Sequence, residues 1–198
     1  IVPPEGFIST NRVTTKYSDM DFHGHVNNAR YVEWCIDMFD DDFHKKHFLI
    51  NFENVLSKRI KTQISDTLKF NKIRFNIGID SITNVSGVYG QDLDPTNGMY
   101  WTWQSGYVNF KLEGTSPYCA TRNNQFQFHL GGYAAPFSSA QCLQFLVSES
   151  CQSLVIEIDL AQFLSQIDLT ETNTIMSPKA KAVALAELLA KTISVHEN

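Results

Sequence analysis

From Met99 the chain alternates for ten residues. Met99, Trp101, Trp103, Ser105 and Tyr107 point one way, and Tyr100, Thr102, Gln104, Gly106 and Val108 the other, which is the period of a strand. Two of the three tryptophans of the chain stand here, two apart on one face. A second alternating run follows after a Gly-containing turn and ends in His129. Two readings of such a pair are open. Large aromatics at strand spacing are usually buried for their apolar area, so a β core is the simpler one. The other is a small site for a soft metal or an aromatic-stacking ligand.

The flanking sequence continues the β pattern. Ile50 and Phe52 alternate in INFENV, Leu68 and Phe70 lead into KIRF, and Phe75, Ile77 and Ile79 alternate through FNIGID, which gives three candidate strands. Residues 142–147 and 154–160 are two further apolar runs of strand length. Residues 81–99 are rich in Gly, Asn, Asp and Ser and are expected to form an ordered loop. Asp92 and Asp94 lack the full oxygen-ligand spacing of a calcium loop and read as turn residues. Asp159 and Asp168 read as caps of short turns or helices. Ser177 and Pro178 open a C-terminal helix in which Val183, Ala186, Leu189, Ala190 and Ile193 recur at helical spacing.

Charge and composition exclude several classes. At 198 residues and 43% hydrophobic, the chain is long enough for one globular domain or a domain with a small appendage. A net charge of -5 provides no basic field for nucleic acid or for an anionic membrane surface. No apolar run is long enough for a membrane-spanning segment, and IVPPEGFIST shows neither the basic nor the apolar region of a signal peptide. Cys35, Cys119, Cys142 and Cys151 show no CxxC spacing, so zinc is not expected. If the chain is exported, Cys119 is expected to pair with Cys142 or Cys151; buried free thiols are the alternative.

The first fifty residues have a different character. In KYSDMDFHGHVNNARYVEWCIDMFDDDF, Ala29, Val32, Ile36 and Phe39 fall at helical spacing, with Asn27 or Asn28 as N-cap, which predicts an amphipathic helix. DDDFHKK then reads as a solvated hinge, and a domain boundary is placed near His47, dividing the chain into 1–47 and 48–198.

Two resemblances attach to these residues. DLDPTNGMYWTWQSGYVNFKLEG, followed by FHLGG, resembles the MbnP-like family of copper-binding proteins, named for a protein associated with the copper-chelating peptide methanobactin. The likeness implies a mainly β, sandwich-like domain with a C-terminal helix over 48–198. It implies a copper site built from His and Trp, here His129 with Trp101 or Trp103, and a periplasmic or extracellular location. In that family a further stretch separates the KIRF-like and IGIDS-like strands; here Phe75 runs straight into Asn76.

The second resemblance covers Asp21, Phe22, His23, Gly24, His25, Val26, Asn27 and Asn28, which resemble the Asp-x-Asn-x-His-Val-Asn-Asn motif before the central helix of hotdog acyl-ACP thioesterases. It implies that Asp21 and His25 activate water against a thioester, with Asn27 beside them, in a cytoplasmic enzyme of fatty acid synthesis. A hotdog sheet needs roughly a hundred residues to cover that helix. Residues 1–47 therefore read as an incomplete hotdog, and no thioester hydrolysis is expected.

The expected function is non-catalytic copper binding through His129, indifferent to His23 and His44. The alternatives are an acyl thioester hydrolase and a functionless chimera of two fragments.

Overall fold

The computed structural model describes residues 7–15, 28–38, 46–54, 56–58, 60–63, 71–149, 151 and 153–197. Within them the chain is mainly β, as expected, with twelve strands and three α-helices. One sheet of four strands runs in the order β12 (Ile193–Glu197), β10 (Ser153–Ile158), β1 (Phe7–Thr15) and β4 (Ile60–Gln63). The larger sheet runs β11 (Thr174–Ile175), β8 (Gln125–Gly131), β7 (Gly106–Thr115), β2 (Asn28–Met38), β5 (Lys72–Ile77) and β9 (Gln141–Leu146). β3 (Lys46–Asn51) adds to β2, and β6 (Tyr100–Thr102) folds back on β7.

Strand alternation supplies the core. Leu154, Ile156 and Ile158 on β10, and Phe126, Phe128 and Leu130 on β8, are all essentially buried, while the residues between them face away. Phe110 and Leu112 of β7 and Phe75 and Ile77 of β5 join the same cluster. It is closed by α2 (Leu160–Ser165) through Phe163 and Leu164, and by α3 (Ala180–Ala190) through Ala182, Leu185, Ala186 and Leu189. The Phe163 ring stands edge-on to both Phe110 and Phe128, an arrangement aromatic quadrupoles favour.

Several sequence expectations hold. Asp159 caps α2 by accepting from Gln162 N at 2.8 Å, and Asp168 accepts from Thr170 N at 2.9 Å in a turn. The 81–99 segment is an ordered loop containing α1 (Ser81–Val85) and two single-turn 3-10 helices. Asp80 caps α1, and Asp94 caps a 3-10 turn through Thr96 N at 2.8 Å, so both carboxylates serve turns. Asp92 accepts from Leu49 N at 3.1 Å and ties the loop to β3.

Others are corrected. Residues 28–38 form an eleven-residue strand, where helical spacing predicted an amphipathic helix. The sequence VEWCIDM alternates Val32, Trp34, Ile36 and Met38 with Glu33, Cys35 and Asp37, and this period of two outweighs the looser period of 3.6. β2 is paired along its whole length: Trp34 registers with Phe110 and Ile50, and Ile36 with Phe48 and Ile77. β1 and β2 thus lie in the same sheets as strands from beyond residue 48.

KIRF and FNI, expected as parts of two strands, form the single strand β5, while Leu68 and Phe70 lie outside the described residues. β4 and β12 are not among the expected strands: Ile60–Gln63 is too short for periodicity to register, and Ile193 falls at helical spacing with the residues of the final helix. The final helix begins at Ala180 with Lys179 as cap, two residues after the expected Ser177 cap, and Ile193 opens β12.

Cys119, Cys142 and Cys151 are free, the alternative to the pairing expected on export. Cys119 is buried in the main core, Cys142 is exposed on β9, and Cys151 is buried in a separate cluster with Val147 and Leu154. Burial pushes the Cys119 and Cys151 thiols above their ordinary pKa.

Candidate functional site

The β7–β8 pair carries its core on one face and its polar chemistry on the other. The antiparallel register sets Lys111 opposite His129, Leu112 opposite Phe128 and Glu113 opposite Gln127. Phe126, Phe128 and Leu130 turn into the core, which places His129 with Gln125 and Gln127, as the sequence alternation requires. His129 is nevertheless only 8% exposed. Its Nε2 lies 2.6 Å from Oε1 of Glu113, diagonally across the strand pair.

Three influences act on the imidazole. Burial lowers its pKa from the ordinary 6.5, the Glu113 carboxylate pulls it up through a hydrogen bond and charge, and Lys111 pushes it down again. Burial is the largest, so the net direction is down and the ring is held neutral at neutral pH. Neutral imidazole is the form that binds a metal.

Trp101 reaches this face from β6. A Cβ placed at Gly131 would lie 2.7 Å from Trp101 Cζ3 and 2.7 Å from the Tyr107 carbonyl oxygen, so the indole covers the Gly131 position. Gly131 follows His129 by two residues on β8, which puts the two positions next to each other on one face. The hairpin that delivers Trp101 is fixed from below. Asn109 sits at a register irregularity of β7 and is almost fully buried. It accepts from Ile79 N at 3.0 Å and donates to Ser139 Oγ at 2.9 Å.

Trp103 is placed differently. The strand ends at Thr102, and Trp103 lies in the turn, 76% exposed. Alternation cannot extend through a turn, so the shared face expected for the two tryptophans stops at Trp101. Glu113 was not anticipated. KLEG shows a polar Lys111 and Glu113 alternating with Leu112, but only the register, which the sequence does not state, brings Glu113 to His129.

Among the described residues no group of three His, Cys, Asp or Glu is placed to share a metal. The donor set here is one imidazole and one carboxylate, with the Trp101 indole over the neighbouring Gly131. Of these donors, imidazole suits copper among other transition metals.

A family model described as MbnP matches residues 12–177. The chain belongs to the MbnP family. The match spans position 47 and includes the segment that resembles a thioesterase, and it lends that resemblance no support. The strand at Asn28–Met38 points the same way, since a hotdog motif would need its central helix there. Asp21, His25 and Asn27, like His23 and His44, lie outside the described residues. No curated protein matches the chain. Its fold is similar to that of MbnP from Methylosinus trichosporium, with a TM-score of 0.59 at 11% identity over 96% of this chain and 98% of that one. No helix among the described residues of this MbnP-family chain is long and apolar enough to cross a membrane.

Proposed function

We propose that this chain binds a copper ion, without catalysing a reaction, on the polar face of the β7–β8 pair, in the periplasm or outside the cell. Membership of the MbnP family supports the choice of metal and of compartment. The observation that carries the choice of site is the 2.6 Å pairing of His129 Nε2 with Glu113 Oε1.

His129 and Glu113 are the residues that would hold the ion, and both are already desolvated in part. Burial keeps the ring neutral, with Nε2 donating its N–H to the Glu113 carboxylate, so an ion held between the two would replace that hydrogen bond while the ring proton moves to Nδ1. Trp101 packs on Gly131, the next position along this face of β8 from His129, and that packing fixes where the indole sits. Lys111, directly opposite His129, disfavours a second positive charge at this corner and keeps the affinity modest. Trp103, exposed in the turn, is left out of the site.

Competition titrations of the purified chain with Cu(I) and Cu(II) test this reading. One ion per chain should bind, His129→Ala should abolish binding, and Glu113→Gln should weaken it. His196→Ala, on β12 in the other sheet, should change nothing. Binding that is indifferent to His129 would refute the site, and absence of binding would refute the function.

A further inference from the structure

Three segments of the chain meet at the tip of the β6–β7 hairpin. Asn84 of α1 accepts from Tyr107 N at 2.9 Å, the Tyr107 hydroxyl accepts from Tyr89 N at 3.3 Å, and Tyr133 closes over Gly106 from the loop after β8. These segments send an unusual set of side chains into solvent. Ile82 and Val85 are each 72% exposed and Trp103 is 76% exposed, with Val88, Tyr89 and Phe137 also open. The same segments carry no charge. Residues 81–90, 95–110 and 132–140 contain no Lys, Arg, Asp or Glu, in a chain where charged residues make up 19%; the nearest charges in sequence include Asp80, which caps α1, Asp92, which ties the loop to β3, and Asp94, which caps a turn.

We propose that this end of the molecule docks onto a membrane, seating in the headgroup–acyl boundary of a neutral, zwitterionic bilayer. The proposal is independent of copper binding. Chemistry selects the occupant. Trp and Tyr join an apolar ring to a single polar atom and prefer the membrane–water interface, and Trp103 stands at the tip of a turn where it can enter first. The aliphatic side chains of α1 contribute apolar area beside it. Charged groups, which resist removal from water in lipid, are missing from all three segments. A protein interface is enriched in Arg as well as in aromatics, and these segments contain no Arg. The net charge of -5 opposes an anionic surface, which leaves a neutral one.

Co-sedimentation with phosphatidylcholine vesicles tests the proposal. The wild-type chain should sediment with them, and its tryptophan emission should move to the blue as Trp103 leaves water. The triple variant Ile82→Ser, Val85→Ser, Trp103→Ser should lower the partition coefficient roughly tenfold or more. Leu146→Ser, which removes an equally exposed apolar side chain from the β9 edge, should bind as the wild type does. Added anionic lipid should not strengthen binding, and added salt should not weaken it. The proposal is overturned if the folded wild type stays in the supernatant, if the triple variant binds equally well, or if binding depends on anionic lipid. A dimer that forms without vesicles and is lost in the triple variant would also overturn it, by assigning the surface to a second copy.

Discussion

Phe126, Phe128 and Leu130 on one face of β8, and Gln125, Gln127 and His129 on the other, share a backbone but answer to different physics. The first three are fully buried, and what matters for them is volume and shape: Phe128 stands edge-on to Phe163, and Phe126 packs against Phe128 with centroids 5.3 Å apart. On the other face, His129 is also nearly buried, yet its neighbours are a carboxylate at 2.6 Å and an opposing lysine. What matters there is charge and proton occupancy. A single strand carries both because its side chains alternate, so the fold and the candidate site are separable by single substitutions on one element.

That separation can be broken in graded steps. Phe128→Ala removes a fully buried aromatic ring and should cost about 3–5 kcal/mol in urea unfolding. A loss well under 1 kcal/mol would mean that the aromatic face does not hold the sheets together. Gly131→Ala sits between the two regimes. Its added Cβ meets the Trp101 ring and the Tyr107 carbonyl, and the carbonyl belongs to a paired strand and cannot step aside, so about 1–3 kcal/mol should be lost and the indole emission should shift. Unchanged emission would show that Trp101 does not lie over β8.

His129→Ala should be milder, about 1 kcal/mol, because it deletes one partly exposed hydrogen-bonded pair and no core volume. A cost as large as that of Phe128→Ala would erase the distinction between the faces.

The pH dependence sharpens the same contrast. With the folded pKa of His129 below 6.5, the unfolded chain takes up the proton first. The contribution of this group is therefore level above about pH 6.5 and is lost as the pH falls from there to the lowered value. His129→Gln should flatten that part of the stability profile, and a profile identical to the wild type's would exclude His129 as the titrating group. The smallest effect is expected from Glu113→Gln, followed by NMR titration of the ring protons. Removing the carboxylate removes the influence that raises the pKa, so the His129 midpoint should fall further. A rise would reverse the assignment of causes.

How much of this could be read from the sequence differs between elements. The FQFHL run is plain because its strict period of two admits one burial pattern, and residues 154–160 are legible as an apolar run of strand length. The paired tryptophans and His129 were singled out by residue type, and the side of β8 on which His129 lies followed from counting. What lay beyond reach depends on pairing. Glu113 meets His129 only through a strand register, and Trp101 departs from Trp103 only because the chain turns between them. β2 shows the opposite failure, in which a segment with apolar residues at both 3.6 and 2 spacing was assigned to the helix; the partners β3, β5 and β7, distant in sequence, make it a strand. Short strands such as β4 leave no periodic trace at all.

The central claim is that the polar face of β8 holds copper through His129. Electron paramagnetic resonance of the chain loaded with one equivalent of Cu(II) tests it most directly, because coupling to an imidazole nitrogen reports the ligand itself. The account predicts imidazole coupling in the wild type, its disappearance in His129→Ala, and its retention in Phe128→Leu, a milder change on the opposite face of the same strand. A spectrum that keeps its imidazole coupling in His129→Ala, or a wild-type chain that leaves the copper free in solution, would contradict it.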